Sequence, residues 1–189
     1  MTFLIQQTLI YAVPLMIVAL AGVFAERSGI INLALEGIMI FGAFIGVLFV
    51  RLMQGSEAVL AAKQAGDWVA LQGLELLTML VAAAMGAVFS LLLSFASINL
   101  RADQTIGGTA LNLLATAVAV VISKNFSDSG SAKLNYSNKP FLFSIGGLEL
   151  SIFVPLGIAL LIISYIVLYK TRFGLRLRAC GEHPQAADS

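Results

Sequence analysis

Few side chains here are equipped for chemistry, and those few sit among apolar residues. Glu36 lies in the run INLALEGIMIFGAFIGVLFV, with Asn32 four residues earlier and Gly37 beside it. If a helix began after Glu36, only residues 38–50 would remain apolar. That length rises about 20 Å, too short for a bilayer core of about 30 Å. Residues 30–37 must therefore contribute to the span, and Glu36 falls inside the core or beside a break in the helix. A carboxylate there faces a penalty of roughly 3 kcal/mol or more unless it is paired, protonated or wet. Asn32 would share its helical face, and Arg27 could reach it if the chain bends at Ser28-Gly29. Two readings stand: a polar point on a solute path or a pinned helix break, against an interfacial glutamate that snorkels or caps a neighbour.

A second constellation is a stripe. Thr105, Thr109, Asn112, Thr116 and Ser123 recur at helical spacing, opposite Leu, Ala and Val. Polar groups on a membrane helix must meet protein or water. The stripe either lines a pore or hydrogen-bonds other helices, at about 0.6 kcal/mol per contact. Gly107-Gly108 permits close backbone approach or local unwinding near its start. The third constellation is the tail TRFGLRLRACGEHPQAADS. Its basic residues (Lys170, Arg172, Arg176, Arg178) mark a water boundary, and a Gly, a Pro and an alanine pair set up a short turn-and-helix element.

The elements that carry these residues are membrane spans. Hydrophobic residues make up 59% of the 189 and charged residues 11%, with a mean hydropathy of +0.96. Soluble domains carry about 25% charged residues. The expected fold is all-α, a polytopic transmembrane helical bundle with about five spans: 3–25 (kinked at Pro14), 30–50, 76–98, 104–123 and 150–169. No alternating pattern suggests a membrane barrel. No Lys or Arg precedes Arg27, so the first run reads as a retained helix rather than a cleaved signal. Small-residue ladders, Ala82/Gly86/Ser90/Ser94 and Gly42/Gly46, predict tight helix packing.

The basic tail places 170–189 in the cytoplasm, and counting back through five spans puts the N-terminus outside. Outer loops then cover 51–75 and 124–149. The lysines of the second loop (Lys124, Lys133, Lys139) run against the charge rule. A Gly146-Gly147 turn between semi-alternating residues predicts a small external hairpin over 143–151.

Several functions are excluded or disfavoured. No basic stripe supports nucleic acid. There is no Walker-type loop, no paired histidines and no cysteine cluster, so no cofactor and no metal are expected. The lone histidine, His183, reads as a surface residue, and the lone cysteine, Cys180, as a reduced thiol. Energy for uphill transport must come from an ion gradient or another subunit. Glu36 alone is a thin basis for a proton-coupled pump.

At three places the chain resembles the permease subunits of ATP-binding-cassette importers, in the branch for simple sugars, nucleosides and branched-chain amino acids. These are ERSGIINLALEG (26–37), LRADQTIGGTALN (100–112) and FGLRLRACGEHPQAAD (173–188). The second is similar to the nucleoside and simple-sugar group. The resemblance implies one transmembrane permease domain over 1–189, with the start of a cytoplasmic coupling loop at 170–189. It makes Gly174, Arg178, Gly181, Glu182, Pro184, Ala186, Ala187 and Asp188 parts of the element that receives a push from an ATPase. In that reading Gly181 permits a sharp turn, Pro184 takes an early helix position and Glu182 suits the positive helix end. Asn32, Glu36, Gly37, Thr105, Thr109, Asn112 and Thr116 are the candidates for a translocation path or helix break.

The implied partners are an ATP-binding-cassette subunit, a second permease subunit, an extracytoplasmic solute-binding lipoprotein and membrane lipid. The implied site is a bacterial plasma membrane, with hydrolysis on a separate subunit. Members of the family continue beyond this loop into further helices, so the chain reads as truncated. The competing readings are a gradient-driven carrier or channel, whose pore would be the polar stripe, and a non-transporting membrane scaffold.

Overall fold

The computed structural model describes residues 2–127, 133–134, 142–145 and 148–187. Among the described residues eight helices and two strands follow one another: α1 (Thr2–Arg27), α2 (Leu35–Gln54), α3 (Glu57–Ala65), α4 (Trp68–Ile98), α5 (Gln104–Phe126), β1 (Leu142–Ile145), β2 (Leu148–Ser151), α6 (Phe153–Lys170), α7 (Arg172–Glu182) and α8 (Pro184–Ala187). Five of them, α1, α2, α4, α5 and α6, are long and apolar enough to cross a membrane. The chain divides into two compact units, Leu33–Phe141 and the pair of segments Met1–Asn32 and Leu142–Ser189.

In the first of these, α2 packs on α4 and α5. Small residues decide how closely. A Cβ built on Gly42 would stand 3.3 Å from the Ala82 carbonyl, and one on Gly46 would stand 3.4 Å from the Ala82 Cβ. Gly86 meets Ile38 in the same way, at 3.6 Å. Ala82 and Gly86 of the α4 ladder thus face α2 as expected, whereas the Ser90 hydroxyl donates within α4 to the Ala87 carbonyl and Ser94 is exposed. The unit's core gathers Ala34, Phe89, Leu111 and Ala115, and Phe41 stacks on Phe89 with ring centres 4.4 Å apart.

The starts of two spans move furthest. The second span begins at Leu35, not Ile30: residues 30–32 are irregular and 33–34 form a turn. Asn32 thus precedes the helix, and the shared Asn32–Glu36 helical face does not exist. The third span begins at Trp68 rather than Leu76, and α3 occupies part of the expected 51–75 loop. Gly66 ends α3 at φ +66°, donating back to Ala62 and Lys63, and the Asp67 carboxylate caps α4 by accepting from the Ala70 N–H at 3.2 Å. With 31 residues, α4 is about 46 Å long and outruns the hydrocarbon core by several turns.

In the second unit α1 lies against α6. Gly157 of α6 admits the Val13 side chain of α1 where any Cβ would collide. The strands β1 and β2 pair antiparallel, Ile145 opposite Leu148 and Leu142 opposite Ser151. This is the expected hairpin; its Gly146-Gly147 turn lies outside the described residues. One residue, Thr171, separates α6 from α7.

Candidate functional site

Asn112 does the most chemistry on the α5 stripe. Its side-chain Oδ1 accepts from the Gly37 N–H at 2.7 Å, and its Nδ2 donates to the Leu33 carbonyl at 3.0 Å. Ala34, the residue before α2, offers no side-chain cap. The first turn of a helix leaves four N–H groups without partners. Asn112 supplies one from a neighbouring helix, 75 residues away. The fit is close: a Cβ on Gly37 would stand 2.7 Å from the Asn112 Oδ1 and 2.9 Å from its Cα, and one on Gly108 would stand 3.1 Å from the Ala34 nitrogen. Gly108 therefore serves close approach, and α5 runs on through it without unwinding.

Two of the other stripe hydroxyls bond within α5. The Thr109 hydroxyl donates to the Thr105 and Ile106 carbonyls, and Thr116 donates to the Asn112 carbonyl at 3.0 Å. Thr105, Thr109 and Thr116 are exposed within their unit, and Ser123 is buried. Glu36 lies exposed in the first turn of α2, where the positive helix end favours a carboxylate.

The 99–103 link carries a feature that sequence reasoning missed. Arg101 sits at φ +52°, in the left-handed region, while Ala102 donates back to the Ala96 carbonyl at 3.0 Å to close α4. Asp103 then caps α5, accepting from the Thr105 N–H at 2.7 Å and the Ile106 N–H at 3.3 Å. These bonds, Thr105 first, hold its carboxyl below the usual value of 3.8. The signal was present as an Asp just before the apolar-periodic segment.

In the tail, Thr171 caps α7 by accepting from the Gly174 N–H at 3.2 Å, and its own hydroxyl donates to Val167 at 2.6 Å. Gly174 is buried, and a Cβ there would collide with the Val167 and Leu168 carbonyls. Arg178 folds back: its Nε donates to the Gly174 carbonyl at 3.3 Å, and its guanidinium lies 5.2 Å from the Tyr169 ring centre. Gly181 is not a turn residue but part of α7. Its Cα faces the end of α1, where a Cβ would strike the Arg27 carbonyl and stand 3.0 Å from the Gly29 nitrogen. Gly29 turns at φ +80°, and a Cβ there would stand 3.1 Å from the Gly181 Cα. Two glycines far apart in sequence thus let backbone meet backbone.

The chain turns instead at His183, at φ −147°, ψ 88°. Glu182 closes α7 rather than opening a helix, and Pro184 opens α8, as its fixed φ suits. Ala186 and Ala187 lie in α8; Asp188 lies outside the described residues. The residues singled out in the tail therefore divide. Gly174, Arg178 and Gly181 seat α7 on α6 and α1, whereas Glu182 and Pro184 are exposed beyond the seat. Among the described residues no group of acids, histidines and cysteines could hold a metal ion.

A family model described as "Branched-chain amino acid transport system / permease component" matches residues 4–189, and the chain belongs to that family. It is a multi-pass membrane protein. The guanosine ABC transporter permease protein NupQ of Bacillus subtilis is 42% identical over all of this chain and 59% of its own length. The nucleoside ABC transporter permease protein NupC of Lactococcus lactis is 39% identical over 98% of this chain and 58% of its own. A putative glucose ABC transporter permease of Haloferax volcanii is 27% identical over 98% of this chain. The chain thus spans a little under three fifths of the length of the first two relatives. No solved structure matches it.

Proposed function

We propose that this chain forms the membrane-spanning part of an ATP-binding-cassette importer for nucleosides, with residues 170–189 as the start of its coupling loop. Family membership and two relatives named as nucleoside or guanosine permeases support the transport reading. The observation that carries the mechanism is the seat of α7. A helix held by carbonyl-to-glycine contacts on α6 and α1 moves as one body with them, so a push on its exposed end is passed on without loss.

Hydrolysis belongs to a separate ATP-binding-cassette subunit that docks on Glu182, Pro184 and the following residues in the cytoplasm. A second permease subunit completes the pathway, and an extracytoplasmic lipoprotein delivers the solute in a bacterial plasma membrane. Guanosine uptake tests the substrate: cells lacking this gene are expected to lose nucleoside uptake and keep glucose uptake, and the reverse pattern would overturn it. Glu182→Lys tests the coupling. It is expected to leave the protein inserted but to abolish ATPase recruitment, and normal recruitment with normal stimulation would sink the assignment.

A further inference from the structure

The transport reading leaves one face of α7 without a task. On a helical wheel at 100° per residue, Gly174, Arg178 and Gly181 fall together on the seated side. Arg172, Phe173, Arg176 and Cys180 fall together on the other. All four are exposed, and Phe173 retains 60% of its surface. Lys170, at the end of α6, adds a third exposed cation. No acidic residue occurs between Ile152 and Gly181 to neutralise them.

The level of this face is fixed. Gly174 rests on the last carbonyls of α6, so α7 crosses the end of a membrane span instead of extending away from it. A short helix at the water boundary, with cations flanking an exposed aromatic ring, matches interfacial helices that insert apolar side chains among acyl chains and pair cations with headgroups.

We propose that the Lys170–Arg172–Phe173–Arg176 face of α7 binds anionic phospholipid headgroups and holds the helix in the membrane surface. The phosphates pair with Lys170, Arg172 and Arg176, and Phe173 enters the acyl boundary. Each cation near an anionic leaflet contributes about a fivefold preference. Lipid charge would then set how firmly the coupling helix is held, independently of which solute is carried.

Cys180, the sole cysteine and exposed on this same face, provides the probe. The full chain, labelled there with an environment-sensitive fluorophore, is placed in nanodiscs of phosphatidylcholine with increasing phosphatidylglycerol. The emission is expected to shift to the blue as phosphatidylglycerol rises. High salt should reverse the shift, because exposed charges are then screened. Arg172→Gln/Arg176→Gln is expected to weaken the preference about 25-fold and so to abolish the shift over the same range of phosphatidylglycerol.

An emission that ignores phosphatidylglycerol overturns the proposal, as does a shift that survives the double substitution. A shift seen only when the ATPase is added also overturns it, and assigns the face to a protein partner. Failure of the nucleoside reading leaves this test untouched, since no solute enters it.

Discussion

Asn112 is where a single side chain decides most. It joins two helices by bonding backbone at both ends of its amide, so a change there acts on stability before it acts on any path. Asn112→Leu keeps the branched shape but removes both bonds, leaving the Gly37 N–H and the Leu33 carbonyl without this partner. The expected loss is about 1–3 kcal/mol, read as a fall in the melting temperature of the detergent-solubilised protein. Asn112→Asp keeps the acceptor for Gly37 but sets a second acceptor against the Leu33 carbonyl, so it should not restore the wild-type melting temperature. Asp103 gives a pH signature. Its folded pKa lies below 3.8, so its contribution is present above the unfolded value and disappears as pH falls through the folded one. Wild type is therefore expected to melt above Asp103→Ala at pH 7, and the difference should close as pH falls through the folded pKa. A gap that persists in acid would show that the carboxylate is not what caps α5.

Among the elements, glycines of similar appearance play opposite parts. Gly181 of α7 faces the Arg27 carbonyl, whereas a Cβ on Gly73 of α4 would meet nothing within 4 Å. Gly181→Ala is expected to destabilise by about 1–3 kcal/mol through overpacking. Gly73→Ala should stabilise by up to about 1 kcal/mol through helix propensity. Opposite shifts of the two melting temperatures check both. The contrast also shows how much of the fold could be read from sequence. Apolar length placed all five spans, and small-residue spacing placed the α2–α4 contact, because both are local properties of a helix. The start of α4 was missed, although Gly66-Asp67 carries a helix stop and a helix start in adjacent residues. Charge at Asp67 and Glu75 hid that signal. The Asn112 cap and the Gly29–Gly181 contact were out of reach for a different reason. Each joins residues at least 75 positions apart, and no local pattern specifies which partner a glycine or amide will meet.

For the whole molecule, five spans make orientation a single binary choice, and the chain's own thiol can settle it. The proposed orientation puts α7 in the cytoplasm. Tracing back, α6 returns the chain to the outside at Phe153, α5 brings it inside at Gln104, and α4 takes it out at Trp68. Gly55, which ends α2, is then extracellular. The basic groups favour this assignment, with Arg27, Arg101, Lys170, Arg172, Arg176 and Arg178 inside, although Arg51, Lys63, Lys124, Lys133 and Lys139 oppose it. The tail outweighs them because its cations are dense and adjoin a span, and charge close to a span end is what biases insertion. A membrane-impermeant maleimide should therefore leave Cys180 unmodified in intact cells and modify it in everted vesicles. In a Cys180→Ser background, Gly55→Cys should give the opposite pattern; the substitution is tolerable because a Cβ at Gly55 meets only the Leu52 carbonyl, at 3.7 Å. Labelling of Cys180 in intact cells would invert the molecule, place Glu182 and Pro184 outside, and remove them from the reach of any cytoplasmic ATPase.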